Sequence, residues 1–209
     1  MPGRDANKVQ INAKEDDVEC FLAATYAKGC TLTPGTKLLA TMAVLTTWLL
    51  EHPEDKIIVF YQFVPTGMML GCMLEQAGFQ DSFLYYAGTM SQKQRAEALD
   101  EFKSNAERKV LVASMKCGGQ SLNLTVANRV IIVDPWWNTV TEKQAFGRVV
   151  RIGQQKAQLL VRICVPAPIE HRMLQLQVQK AKDVAHALQD DRPRHGYESD
   201  EDWDEEEGE

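Results

Sequence analysis

Three polar residues within one short stretch of the sequence can hold an anion. The stretch "QAFGRVVRIGQQK" carries Gln144, Arg148 and Arg151, and on a helix these side chains lie within about 60° of one another. Both guanidinium groups keep their charge at any working pH and can bind phosphate oxygens bidentately. The spacing therefore indicates a site for the phosphates of a nucleotide. The alternative is a pair of surface arginines that bind carboxylates of the same protein.

A second candidate anion site follows the short apolar run "VLVAS". Ser114 ends this run, and Lys116, Gly118 and Gly119 come directly after it. Glycine lets backbone amides approach an anion closely, and the hydroxyl and ammonium groups can donate to phosphate. An ordinary tight turn is the alternative interpretation of this loop.

The segments that must position both sites alternate between strand and helix patterns. Strands are indicated by "KIIVFYQF", "SFLYYAG", "KVLVAS", "NRVIIVD" and "QLLVRICV". Of these, "KIIVFYQF", "KVLVAS" and "NRVIIVD" are predicted to be buried, because they are short, apolar and contain β-branched residues. Helices are indicated by "TKLLATMAVLTTWLLEH", "GMMLGCMLEQAG", "SQKQRAEALDEFKS", "EKQAFGRVVR" and a last segment that begins at Pro168. This alternation predicts an α/β fold with a mostly parallel sheet and helices on both faces, and ligands gather at the carboxyl ends of such strands.

Local signals refine the helices. Ser91 and Gln94 have the spacing of a capping box, and Gly78 suits the left-handed position that ends a helix. In the first helix, one face carries apolar residues and Trp48 is expected to pack; the face comprises Leu38, Met42, Leu45 and Leu49. In the last helix, which begins with Pro168, one stripe carries the apolar residues Ile169, Met173, Leu176, Val184 and Leu188.

Composition separates a core from an acidic end. The chain has 29 Asp and Glu against 23 Lys and Arg, but residues 190–209 hold 11 of the acidic residues, which leaves residues 1–189 with a net charge of +3. We predict a disordered acidic tail over 190–209. No apolar run is long enough for a membrane helix, and the start lacks the apolar region of a secretory signal. The five cysteines include no CxxC pair, so neither a zinc site nor a disulfide framework is indicated, and buried packing is expected.

Residues 56–165 resemble the second RecA-like lobe of a superfamily 2 helicase of the Swi/Snf-like branch of DNA-translocating and chromatin-remodelling ATPases. "KIIVFYQF" is similar to motif IV, "YYAGTMS" to the segment after it, "ASMKCGGQSLNLT" to motif V and "QAFGRVVRIGQ" to motif VI. "DPWWN" and "RIGQ" are typical of this branch. The sequence departs from the branch at Ser121 and Val150, where glycine and histidine are common, and at Ala87 and Gly147, where many members carry aspartate.

The resemblance implies a RecA-like three-layer sandwich and assigns roles to residues. Arg151, together with Arg148, would act as an arginine finger toward the γ-phosphate of ATP, with Gln144 and Gly119 beside the nucleotide. Contacts with one DNA backbone strand are implied for Gln62, Gly88, Thr89, Ser114, Lys116, Gly118 and Trp137. Such contacts position a protein on DNA without reading its sequence.

The parts that grip ATP most strongly are not found in this sequence. There is no GxxxxGK[ST] loop, because "GCTLTPGTK" has the wrong spacing and order, and "VIIVD" has no phosphate loop upstream. ATP and magnesium would thus be held mainly by a first RecA-like lobe, in cis or in trans. Three interpretations stay open: half of a DNA-dependent ATPase, a non-catalytic DNA- or protein-binding module, and an unrelated nucleotide-binding α/β protein.

The expected organisation has three parts. Residues 1–34 would be a leader or inter-lobe linker, which favours a fragment of a longer protein, 35–189 the helicase C-terminal lobe and 190–209 the acidic tail. The expected partners are the first lobe, the backbone of double-stranded DNA and basic proteins such as histones through the tail, with no membrane. The expected location is the nucleus, and no metal ligands are predicted.

Overall fold

A computed structural model describes residues 34–119, 123–136 and 138–187 of the chain. The elements are, in order, α1 (Thr36–Glu51), β1 (Ile57–Tyr61), α2 (Val64–Gln76), β2 (Phe83–Tyr86), α3 (Gln92–Ser104), β3 (Val110–Ser114), a 3₁₀ helix (Met115–Gly119), β4 (Arg129–Ile132), α4 (Thr139–Phe146), β5 (Leu159–Arg162) and α5 (Pro168–Ala187). The leader, apart from Pro34, and the acidic tail lie outside the described residues.

The five strands form one sheet in the order β2-β3-β1-β4-β5. Every neighbouring pair is parallel, and Val59 in β1 pairs with Val112 on one side and Ile131 on the other. The parallel α/β architecture predicted from the sequence is therefore confirmed. All carboxyl ends of the strands meet at one edge, which we call the carboxyl edge.

Successive side chains of β1 pack into two separate hydrophobic cores, because side chains alternate between the two faces of a sheet. Ile58 and Phe60 pack with Leu99 and Phe102 of α3. Ile57, Val59 and Tyr61 pack on the opposite face with apolar residues of α1 and α2. Each fully buried side chain of this size stabilises the fold by about 1.5–3 kcal/mol relative to exposure. Both faces of β1 are thus buried, which explains its continuous apolar sequence.

The local helix signals are confirmed. Ser91 accepts a hydrogen bond from the Gln94 backbone N–H at 3.2 Å, and Gln94 Oε1 accepts one from the Ser91 N–H at 2.8 Å. Gly78 has a φ of 86°, the left-handed conformation that ends α2. Pro168 begins α5, and Trp48 is buried in the core under α1.

Helix α4 ends at Phe146, so the prediction of a helix through Arg151 was wrong. Beyond Gly147 the helical ladder loosens, because the backbone N–H groups of Arg148 and Val149 donate three residues back, to Ala145 and Phe146. Val149 remains fully buried in this turn. The apolar periodicity therefore continues past the point where the helix stops.

Within the described residues, the apolar stripe of α5 is not the buried face of the helix. Ile169 is 68% exposed and Leu176 46% exposed, whereas Glu170 and Gln177 are buried. Glu170 forms an ion pair with Lys37 of α1 and accepts a hydrogen bond from the Val165 N–H at 2.9 Å. Polar partners, rather than apolar packing, thus select the inward face of α5. The structure does not describe the side chain of Val184, or Leu188.

Two further features of the described residues bear on the sequence analysis. Cys117 is buried, but Cys72 and Cys164 are exposed, so the expectation of buried cysteines holds for only one of these three. Within the described part of the chain, no helix has both the length and the apolar character needed to cross a membrane.

Candidate functional site

The described residues that are predicted to contact DNA lie at the carboxyl edge. They follow or end three neighbouring strands: Gln62 after β1, Gly88 and Thr89 after β2, and Ser114, Lys116 and Gly118 at the end of β3 and in the 3₁₀ helix. A Cβ added at Gly88 would lie 3.4 Å from Cys117 Sγ, so the loops after β2 and β3 touch. Trp137 lies outside the described residues.

These residues differ in how far they reach solvent. Gly88, Thr89 and Lys116 are exposed, and Lys116 carries the positive charge among these three residues. Gln62 and Ser114 are each only 8% exposed. A ligand that approaches this edge from solvent would therefore contact Lys116 and the loop of Gly88 first.

A buried contact joins the loops that follow β1 and β4. The Gln62 backbone N–H donates to Asp134 Oδ2 at 3.3 Å, and both residues are buried. Further along the same two loops, the rings of Phe63 and Trp136 are in contact. They pack edge to face with centroids 6.3 Å apart. The loop of "DPWWN" is thus fixed against the loop of motif IV, next to the candidate contact Trp137.

Glu142, which the sequence analysis did not single out, holds this loop from behind. Its Oε1 accepts a hydrogen bond from the Trp136 N–H at 2.8 Å, and its Oε2 lies 3.8 Å from Arg162 Nη1. Gln177 of α5 donates to the Trp136 carbonyl and lies 3.4 Å from the same carboxylate. The Glu142 side chain is buried. Glu142 is four residues after the loop's Asn138, but nothing in the sequence distinguishes it from a surface glutamate.

The motif VI residues lie on two kinds of backbone. Gln144 is on α4 and exposed, whereas Arg148 and Arg151 lie in the turns after the helix, so the shared helical face expected for the three is not formed. The Leu124 N–H donates to the Arg148 carbonyl at 3.0 Å, which ties this turn to the end of the motif V segment. The 3₁₀ helix that ends at Gly119 packs against α4.

Neither motif VI guanidinium is paired with a carboxylate among the residues that the structure describes. Arg151 is exposed, and Arg148 is half-buried with its Nε shielded from solvent and without a hydrogen-bond partner among the described residues. A shielded N–H of a cation without a partner is costly, and an anion would satisfy it. The arrangement therefore favours the anion interpretation over the surface pairing that was its alternative.

Residues 147–158, which we call the arginine segment, are anchored at their far end. Gln154 Nε2 donates to the Ala127 carbonyl at 2.6 Å, and its Oε1 accepts from the Lys156 N–H at 3.0 Å. Lys156 Nζ donates to the Glu54 carbonyl at 3.0 Å and to Asp55 Oδ1 at 2.7 Å. The segment thus has a defined conformation although little of it is buried.

Asp55 is the centre of this anchor. Its Oδ2 accepts from Arg129 Nε at 2.7 Å, and the Arg129 guanidinium lies 5.1 Å from the centre of the Trp48 ring. Burial alone would raise the pKa of Asp55, but hydrogen bonds from Lys156, Asn128 and Arg129 outweigh burial and lower the pKa to about 2. The sequence analysis missed this cluster because its members lie far apart along the chain.

The two groups of candidate residues lie at different places in the fold. The arginine segment bonds to Glu54, Asp55 and Ala127, which precede β1 and β4, whereas the candidate DNA contacts follow the carboxyl ends. The 3₁₀ helix connects them, since it ends β3 and packs against α4.

One cluster has donor groups close enough to bind a cation. Ligand atoms of His52, Glu54 and Asp55 lie within 4.8 Å of one another. Both oxygens of Asp55 already accept hydrogen bonds, from Lys156 and Arg129. A metal ion would have to displace these cations, so the cluster fits an ion-pair network better.

Comparison with known proteins places the chain in a family. Residues 38–153 match the helicase conserved C-terminal domain. The chain is 41% identical over 152 residues to the DNA repair protein rad5 of Neurospora crassa and 39% identical over 140 residues to the DNA repair protein RAD5B of Arabidopsis thaliana. These alignments cover 73% and 67% of the chain, which spans 12% and 11% of the length of the two relatives.

Solved structures agree with this placement. The C-terminal part of the Fun30 ATPase domain has a TM-score of 0.67 at 25% identity, with 78% of this chain and 53% of that chain covered. The Sulfolobus solfataricus SWI2/SNF2 ATPase core in complex with dsDNA has a TM-score of 0.59 at 32% identity, with 76% and 33% covered.

The parallel five-stranded sheet with its helices thus agrees with these comparisons. The chain belongs to the helicase conserved C-terminal domain family and is a second RecA-like lobe of the Swi/Snf-like branch.

Proposed function

We propose that the chain works as the second lobe of a Swi/Snf-like DNA-dependent ATPase and translocase, and that it needs a first RecA-like lobe for catalysis. Arg151 and Arg148 then serve the hydrolysis of ATP, and the carboxyl edge binds the backbone of double-stranded DNA. The observation that carries the proposal is the pair of motif VI guanidiniums without a carboxylate partner in the described part of the chain.

The arginines would act on charge that develops during hydrolysis. ATP bound by the first lobe is the substrate, and a magnesium ion on that lobe would neutralise charge on its phosphates. Arg151 is exposed and free to reach the γ-phosphate, and Arg148, three residues before it, is half-buried and has no carboxylate partner among the described residues. In related NTPases, a guanidinium in this position raises the rate of hydrolysis about 10³- to 10⁵-fold. Gln144 and Gly119 are proposed to border the same nucleotide.

The DNA contacts proposed at the carboxyl edge would position the protein on the DNA backbone. Lys116 supplies charge, the backbone at Gly88 and Thr89 is open to solvent, and Asp134 and Glu142 hold the loop that leads to Trp137. Contacts with phosphate and sugar do not read sequence. Support comes from the Sulfolobus solfataricus relative, whose solved core is in complex with dsDNA.

The biological setting is proposed from the relatives. The two curated relatives described above carry the name DNA repair protein. We propose a role in DNA repair or chromatin remodelling in the nucleus. Basic proteins such as histones are proposed partners of the acidic residues 190–209.

The decisive experiment measures DNA-stimulated ATP hydrolysis by the full chain mixed with a separately produced first lobe of a Swi/Snf-like ATPase. We expect hydrolysis only in the mixture. Arg151→Ala should lower kcat by about 10³-fold or more while DNA affinity stays nearly unchanged. Arg172→Ala, which removes an exposed arginine of α5, is the matched control and should keep the activity.

Two results would contradict the proposal. Absence of hydrolysis in every mixture, with DNA binding intact, would make the chain a non-catalytic binding module. An equal loss of hydrolysis and of DNA binding in Arg151→Ala would mean that this arginine supports the structure.

A further inference from the structure

The tip of the arginine segment presents an apolar side chain entirely to solvent. Ile152 is 100% exposed, and Val150 is 42% exposed, whereas Val149 between helix and tip is fully buried. Single exposed apolar residues are ordinary on protein surfaces, and Leu50 on α1 is 80% exposed in the same molecule. The surroundings of Ile152 distinguish it from such residues.

The tip has a fixed backbone. Gly153 has a φ of 103°, a left-handed conformation that residues with a side chain rarely adopt, and the Gln154 N–H closes the turn onto the Arg151 carbonyl at 3.0 Å. The side chain of Gln154 is bound to Ala127 and to the backbone of Lys156. Ile152 is therefore presented by an ordered turn, so a partner would meet it already in position.

The chemistry beside the tip indicates what the partner must offer. Ile152 is next in sequence to Arg151, which is exposed and has no carboxylate partner among the described residues. A partner that covers this surface must bring an anion for the guanidinium and an apolar recess for Ile152. The backbone of a DNA duplex supplies an anion but no apolar recess for Ile152. A protein domain that binds a nucleotide supplies both the anion and the recess.

This inference rests on the proposed function, in which the partner is the first RecA-like lobe. The chain covers 30% and 33% of two solved SWI2/SNF2 ATPase cores, so most of such a core lies outside the part that it resembles. We propose that Ile152, with Val150, is a docking contact that inserts into an apolar recess of the first lobe and brings Arg151 to the nucleotide.

The test measures the affinity between the full chain and a separately produced first lobe of a Swi/Snf-like ATPase, with no nucleotide and with ADP plus a γ-phosphate analogue. Ile152→Ser should weaken association about tenfold or more under both conditions, because apolar contact does not depend on the nucleotide. Ile152→Leu should restore most of the affinity. Leu50→Ser, which removes an apolar side chain that is 80% exposed on α1, should leave association and hydrolysis unchanged.

A second comparison separates this inference from the proposed function. Arg151→Ala should weaken association only when the γ-phosphate analogue is present. Wild-type affinity of Ile152→Ser for the first lobe would overturn the docking contact, and so would a loss of DNA affinity by the Ile152→Ser chain on its own. If Arg151→Ala still abolishes hydrolysis in that case, the proposed function stands without the docking contact. If the wild-type chain never associates with a first lobe, both fail.

Discussion

Lys156 Nζ lies 2.7 Å from Asp55 Oδ1, and this contact ties the end of the arginine segment to the start of the central strand. The residues are 101 positions apart in sequence. Asp55 is buried and also binds Arg129, so removing Lys156 leaves the carboxylate with one cationic partner. The contact can therefore be tested without creating an unpaired buried charge.

We expect Lys156→Met to loosen the arginine segment locally. The lysine side chain is 44% exposed, so the pair contributes modestly. Amides of residues 150–156 should exchange with solvent about two- to fivefold faster in hydrogen-exchange mass spectrometry, with no change elsewhere. Lys156→Arg should restore protection, and Lys103→Met on α3 is the control. Unchanged exchange in this segment would show that Gln154 alone holds it.

The low pKa of Asp55 predicts a loss of stability in acid. Its pKa of about 2 in the folded protein lies below its usual value, so the ionised carboxylate stabilises the fold above about pH 4. This contribution, about 2 kcal/mol, should disappear as the pH falls from 5 toward 2. Urea unfolding at several pH values should show a smaller pH dependence for Asp55→Asn than for the wild type. The same pH dependence in both proteins would contradict the assignment.

Lys116 should contribute one phosphate contact to DNA binding. Lys116→Ala should lower DNA affinity and reduce the slope of log affinity against log salt by about 1. Fluorescence anisotropy with duplexes of two unrelated sequences should give equal losses, because phosphate contacts do not read bases. Lys103→Ala, an exposed lysine near the opposite edge of the sheet, is the matched control and should leave the slope unchanged.

The charge distribution makes a companion prediction for the same assay. Deleting residues 190–209 removes 11 acidic residues and leaves a net charge of +3 on the remainder. DNA affinity should rise, and the rise should shrink with added salt, because the deleted charges repel DNA. Equal affinity of the two chains at low salt would contradict this expectation.

Gly67 is predicted to be required for the packing of α2 on β1. A Cβ at this position would lie 2.6 Å from the ring of Tyr61, which is buried. Gly67→Ala should lower the free energy of unfolding by about 1–3 kcal/mol, measured by urea titration. In a Tyr61→Val background the same change should cost much less, since the ring is gone. An equal penalty in both backgrounds would assign the effect to the helix backbone.

The fold was predictable because its strands are buried on both faces. Runs such as that of β1 are continuously apolar only in this environment, and the caps at Ser91 and Gly78 act locally. The end of α4 was not predictable from periodicity, because Val149 keeps the apolar spacing although the helix has already ended at Phe146.

The candidate site was predictable only in part. Parallel strands carry the loops of Lys116 and Gly88 to one edge, so their proximity follows from the fold class. The support of the arginine segment depends on pairs distant in sequence, such as Asp55 with Arg129, which are 74 positions apart. The inward face of α5 is likewise chosen by Glu170 and Gln177, whose partners lie on other elements.

The stacking of Arg129 on Trp48 gives the protein an intrinsic optical reporter. The indole senses the same guanidinium that Asp55 shares with Lys156, so its emission is coupled electrostatically to the anchor. Once the emission of Trp136, Trp137 and Trp203 is removed by substitution, Trp48 fluorescence is expected to report movements of the motif VI turn in solution, without an attached dye.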